Sequence, residues 1–111
     1  MKRENAITAG SGNVFADLGL PHADELLRKA ELIRLIGASI QARSLTQSAA
    51  ARRVRVAQPD LSKLLRGQSD GFSYDRLLRI LAELGNDVEV TIRPAHDPSH
   101  AGILRVLAEV G

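Results

Sequence analysis

The chain has 111 residues, 44% of them hydrophobic but only 3% aromatic, with a net charge of +2. That is one small domain with an aliphatic core. The absence of cysteine excludes disulfide scaffolds, thiol nucleophiles and thiolate metal centres, and the three histidines (His22, His96, His100) lack the spacing of a helical metal site. No apolar run reaches the ~18 residues of a membrane span, and Lys2-Arg3 leads into polar residues and not into the apolar stretch of a secretory leader, so a cytoplasmic protein without membrane contact is expected.

Residues 1–13 are polar, glycine-containing and aperiodic, and they predict a flexible N-terminal arm. Val14 to Leu20 is a short apolar strap ahead of Pro21. Pro21 opens a long helix to about Arg43, with Asp24 and Glu25 in its first turn. Leu26, Ile33, Ile36 and Ile40 share one face of it, and Gly37 is an internal weak point. Thr46 is a good N-cap for a second helix, and Val54-Arg55-Val56 reads as a tight connection. A third helix follows from about Gln58 to Arg66, with Pro59 in its first turn and Gly67 at its stop. Ser73 caps a fourth, which turns Leu77, Leu78, Leu81 and Leu84 inward and ends at Gly85-Asn86.

The period then changes from helical to alternating. Val88-Glu89-Val90-Thr91-Ile92-Arg93 puts apolar residues on one face, and Pro94 closes the run, which predicts a strand over 87–94. A lone strand leaves its ladder groups unpaired. Pairing with a second copy around a two-fold axis is the expected remedy, making Val88, Val90 and Ile92 dimerisation residues. Pairing in cis with the strap is the rival. Ser99 is expected to cap a last short helix within 95–111, with Ile103, Leu104 and Leu107 over the dimer seam.

Charge is concentrated in one place. Between Arg43 and Arg66 stand Arg43, Arg52, Arg53, Arg55, Lys63 and Arg66 against the single acid Asp60, a footprint suited to phosphate. The same stretch predicts two short helices joined by a brief turn, the helix-turn-helix geometry. Small Ala51 lets the helices cross closely, while Val54, Leu61 and Leu64 fill the wedge between them. Left outward on the second helix are Gln58, Pro59, Asp60, Ser62, Lys63 and Arg66, groups that reach base edges or phosphates.

LTQ, AA, V and QPDLSKLLRG within residues 45–67 resemble the helix-turn-helix of the XRE family of regulators, akin to phage Cro and repressor proteins. With NVFADLGLPHADELLRKAEL upstream and GFSYDRLLRILAELGNDVEVTIRP downstream, the likeness extends over 13–94, and it is to the small XRE-type antitoxins of toxin–antitoxin operons. The resemblance implies a mainly α, lambda-repressor-like bundle of four to five helices with one C-terminal strand paired across a homodimer. It implies a DNA-binding repressor of a near-palindromic operator, with no cofactor and no catalytic site, and a cognate toxin of the RelE/HigB kind as a further partner. The DNA-binding set it implies is Arg43, Thr46, Gln47, Arg53, Gln58, Pro59, Asp60, Ser62, Lys63 and Arg66. In that set Gln47 serves a phosphate and Gln58 a base, most naturally adenine through N6 and N7. Ser62 and Lys63 serve base or phosphate, and the arginines serve the backbone. Asp60 either accepts from cytosine N4 or stabilises the start of its own helix. Arg52 and Arg55 are left as solvated surface.

Three positions depart from the family pattern. Arg55 stands where the turn usually has glycine, Ala57 where the recognition helix usually has a Ser or Thr cap, and His22 where a polar cap precedes the first long helix. A second reading therefore stays open, a protein-interaction module whose helix-turn-helix no longer binds DNA.

Overall fold

The computed structural model describes residues 4–7 and 23–109. Its elements in chain order are β1 (Glu4–Ile7), α1 (Ala23–Ala42), α2 (Gln47–Val54), α3 (Gln58–Leu65), α4 (Tyr74–Glu83) and β2 (Val106–Glu109). Four helices and a C-terminal strand are as expected for a mainly α regulator domain. The strap at 14–20 and the position of His22 lie outside the described residues.

Residues 29–88 form one compact unit built on the helices. Its core is aliphatic apart from Phe72. Ile36, Leu61, Leu64, Leu77 and Leu84 are fully enclosed, and Ile40, Ala50, Ala51, Val54, Val56 and Ile80 are buried around them. Helix α2 packs against both α3 and α4. Alongside, α1 and α4 run parallel. The Lys29 ammonium lies 5.6 Å from the centre of the Tyr74 ring near the start of α4, and the last turns of α1 meet its end. There the buried Ser39 hydroxyl donates to Leu35 O (2.8 Å) and accepts from Asn86 Nδ2 (3.0 Å), so the one buried polar side chain among the described core residues is satisfied. Gly37 needs no close approach to justify it, since a Cβ there would meet only Leu65 Cδ2 at 3.8 Å, an ordinary contact.

All four helices stop in the same way. At each C-terminus one residue adopts a left-handed backbone, and its own amide and the following one turn back onto the carbonyls of the last turn. Two of the four use glycine, Gly67 (φ 93) and Gly85 (φ 100). The other two do not: Ser44 sits at φ 53 and Arg55 at φ 58. Arg55 N–H donates to Arg52 O (3.3 Å), and Val56 N–H to Ala51 O (3.0 Å). The departure from glycine seen in the sequence therefore leaves the turn intact and places a side chain in a region that disfavours one.

Of the described residues, 4–7, 23–28 and 89–109 belong to the second unit, which contains, besides the start of α1, a two-stranded antiparallel sheet. Glu4 pairs with Glu109, Asn5 with Ala108, Ala6 with Leu107 and Ile7 with Val106. This sheet corrects two expectations. Residues 4–7 form a strand within the span expected to be an aperiodic arm, and among the described residues beyond Ser99 there is no helix. A segment that short has too few residues to repay helix nucleation on its own. Residues 106–109 instead gain a ladder from a partner about a hundred positions away, which no local pattern announces. Asp97 closes a turn here by accepting from the Ser99 hydroxyl (2.6 Å) and amide (3.1 Å). Those bonds, followed by the His100 ring, hold its carboxyl below the usual aspartate range.

The C-terminal strand thus lies at 106–109, and the expected strand over 87–94 has no helix or strand assignment in the single chain. Its alternating side chains stand in solvent, Val90 76% and Ile92 90% exposed. A strand exists only through a partner's backbone, and the described residues of one copy supply none here.

Relieving the backbone at Arg55 tests the account of the turn. Arg55→Gly removes a left-handed penalty of ~1–2 kcal/mol and adds a glycine entropy cost of ~0.5–1 kcal/mol. The variant is expected to be more stable than the parent by roughly 0.5–1 kcal/mol in urea unfolding; a loss of stability would contradict the strained-turn account.

Candidate nucleic-acid interface

The site is built on two short helices at a fixed angle. Leu61 and Leu64 of α3 are fully buried, and Ala50, Ala51 and Val54 of α2 are buried with them, so α3 is held by its apolar side and leaves the other outward. Val56 is buried too, which anchors the three-residue connection to the core while Arg55 and Ala57 on either side of it stay exposed. In the sequence, Val54-Arg55-Val56 reads only as a tight connection. The signal for Val56 was there, an apolar residue directly after the left-handed position, where such turns bury a side chain.

On α3, Gln58, Pro59, Asp60, Lys63 and Arg66 are exposed, and Ser62 is half-buried. At about 100° per residue, Gln58, Ser62, Arg66, Pro59 and Lys63 fall within an arc of roughly 140°. Asp60 lies ~60° beyond that arc, on the flank near Leu64. The geometry therefore separates the carboxylate from the rest of the set. Asp60 stands in the first turn of α3, where negative charge meets the positive end of the helix, though no side chain caps that end. Ala57 offers none, leaving the Gln58 and Asp60 amides open as donors.

Two side chains on this face are already joined. Arg66 Nη1 donates to Ser62 Oγ at 2.9 Å, one helical turn apart. The bond aligns the guanidinium along the face and uses an acceptor position of the hydroxyl. Ser62 keeps its O–H to donate outward, so it suits an acceptor atom: a phosphate oxygen, or guanine O6 or N7. The side chains of Gln58 and Lys63 make no hydrogen bond or ion pair among the described residues.

Helix α2 contributes its N-terminus. Thr46 caps it as expected, its hydroxyl accepting from Ala49 N–H at 3.0 Å. The Gln47 and Ser48 amides have no acceptor within the helix. Gln47 is exposed at that end, placed to add its side chain to an anion-binding pair of amides.

Arg43 and Arg53 have a role that the sequence did not reveal. Arg43 Nη2 donates to Gly85 O (3.0 Å) and Nη1 to Ser39 O (3.3 Å), while Arg53 Nε donates to Glu83 O (2.9 Å). Both cations thus sit at the C-terminal end of α4, where they satisfy carbonyls and face the negative end of its dipole. A guanidinium has five N–H donors, so each retains some for a phosphate. Arg55 lies apart from the recognition face, lining a shallow groove with Val54, Val56, Arg76, Arg79 and Ile80.

A family model described as a helix-turn-helix domain matches residues 14–93. A solved structure provisionally assigned as an XRE family transcriptional regulator is 36% identical, covers 79% of this chain and 99% of its own, and superposes with a TM-score of 0.73. No curated protein matches the chain.

The two kinds of basic residue are separable by experiment. Arg43→Ala is expected to cost ~1–2 kcal/mol of stability, because it removes one hydrogen bond to the end of α4 and one to the last turn of α1. Lys63→Ala, with no internal partner, should stay within ~0.5 kcal/mol of the parent. Urea denaturation of both variants checks this, and equal losses would refute the division.

Proposed function

This chain belongs to the helix-turn-helix domain family and is a DNA-binding transcriptional regulator of the XRE type; we propose that it acts as a homodimeric, sequence-specific repressor that reads its operator with the outward face of α3. The observation that carries the proposal is the one face of Gln58, Pro59, Ser62, Lys63 and Arg66 over a fully buried Leu61 and Leu64. A face kept polar, basic and free of internal neutralisation on a helix this well anchored is suited to a groove lined with acceptors and flanked by phosphates. In this reading Gln58 reads a base, and Ser62 and Lys63 read base or phosphate. Thr46 and Gln47 present the α2 N-terminus to one strand, and Arg43, Arg53 and Arg66 add backbone contacts. Asp60 serves its own helix. Two copies related by a two-fold axis would set their recognition helices ~34 Å apart, matching the half-sites of a near-palindrome.

Substituting Gln58 and Lys63 together by alanine tests the reading against the rival of a degenerate interaction module. Each residue is exposed, so fold and oligomeric state should persist. Loss of Gln58 should cost ~1–3 kcal/mol at one base pair per half-site, and loss of Lys63 should weaken all sequences alike and flatten the salt dependence. An unchanged operator affinity in the double variant would favour the interaction module.

We propose further that the regulator is the antitoxin of its operon, neutralising a ribonuclease toxin of the RelE/HigB kind through residues 1–20 or 95–111. The likeness of the flanking segments to small XRE-type antitoxins supports this. Co-expression with the neighbouring gene is the check: growth arrest by that gene alone, relieved by this chain, is expected, and a harmless neighbour would remove the antitoxin assignment while leaving the repressor.

A further inference from the structure

Every large apolar side chain left exposed among the described residues lies between 88 and 107: Val88, Val90, Ile92, Ile103, Leu104 and Leu107. Three of them fall at every second position of one short segment. That segment has sharp limits. The left-handed Gly85 and the Asn86 N–H bond to Leu81 O close α4 before it, and Pro94, which has no N–H to give a ladder, stands after it. Seven residues remain, Asp87 to Arg93, and their midpoint is Val90.

We infer that residues 87–93 pair antiparallel with the same segment of a second copy, in the register that places Val90 on the two-fold axis. The inference rests on the homodimeric reading above and specifies its contact. An odd offset would set every apolar side chain against a polar one on the same face, because side chains alternate strictly along a strand. Of the even offsets, the one centred on Val90 opposes Val88 to Ile92 twice and Val90 to itself. It also opposes Asp87 to Arg93 twice, an attractive pair at both ends, and leaves Pro94 outside the ladder. The one centred on Thr91 opposes Glu89 to Arg93, but it brings Pro94 against Val88 and strands Asp87 beyond the pairing. Self-complementarity of shape and charge is what identifies the occupant: read backwards, the segment matches itself. Asp87 and Arg93 are both exposed and make no ion pair among the described residues.

The chain's lack of cysteine makes the register directly readable, since one introduced thiol is then the only one. Opposed residues in an antiparallel ladder have Cα atoms ~4.5–5.5 Å apart, within disulfide reach. Residues displaced diagonally are ~7–8 Å apart, outside it. Under mild oxidation the full-length Val90→Cys protein is expected to run as a covalent dimer and Thr91→Cys as a monomer on non-reducing gels. In sedimentation of the unoxidised protein, Asp87→Arg should raise the dimer dissociation constant about tenfold, by replacing two attractive pairs with two repulsive ones. Adding Arg93→Asp should restore it to within about threefold. A sedimenting dimer that crosslinks through Thr91→Cys, or through neither thiol, overturns the register and leaves the homodimer standing. A parent protein that sediments as a monomer with and without operator DNA overturns the register and the homodimer together.

Discussion

Two backbone hydrogen bonds at the end of α2, from Arg55 N–H to Arg52 O and from Val56 N–H to Ala51 O, turn the chain toward α3 and set where its outward face points. The turn has three residues, so it has little slack. Arg55 must stay left-handed for Val56 to enter the core and for Leu61 and Leu64 to lie against α2. Neither α2 nor α3 carries an aromatic ring to wedge the two helices apart or lock them together. Small Ala50 and Ala51 on one side and two leucines on the other must do it, and they do so only if the backbone between them has this shape. The direction of the outward face of α3 and the placement of Lys63 on it both follow from that joint.

The end of α4 is the second fixed point. Arg43 from α1 and Arg53 from α2 both donate to carbonyls there, and Asn86 bonds Ser39 and Leu81 O. Three helices are tied at one place by polar groups, each satisfying an acceptor that helix geometry leaves open. The arrangement divides the positive charge of the chain. Arg43 and Arg53 hold the domain together and retain unused N–H donors, whereas the side chains of Gln58 and Lys63 are uncommitted on the outward face of α3. Because that face carries little of the fold's stability, its residues can specify sequence without altering the scaffold.

Much of this was legible in the sequence, for local reasons. Thr46 and Ser73 mark helix starts because their hydroxyls have a specific amide to accept, and each was found doing so. Gly67 and Gly85 mark helix stops because a left-handed backbone favours them. What escaped were features decided at a distance. Nothing in Glu-Asn-Ala-Ile at 4–7 alternates, and its strand exists only because 106–109 lies opposite. The run 103–107 has helical spacing, but a ladder claims its second half. Val88, Val90 and Ile92 read as a strand by period alone, and among the described residues of one copy they have no ladder to join. The internal bonds of Arg43 and Arg53 were hidden because a guanidinium suited to phosphate is equally suited to a helix C-terminus, and composition does not distinguish the two.

The central claim is that α3 reads a sequence and does more than attract phosphate. Fluorescence anisotropy of the full-length protein against the DNA upstream of its own gene and against a scrambled duplex, at about 50 and 200 mM salt, tests it most directly. The account predicts a preference of ~10³ or more for the upstream DNA that survives at the higher salt. Equal affinities that fall together as salt rises would contradict it, leaving a charged surface that meets DNA without reading it.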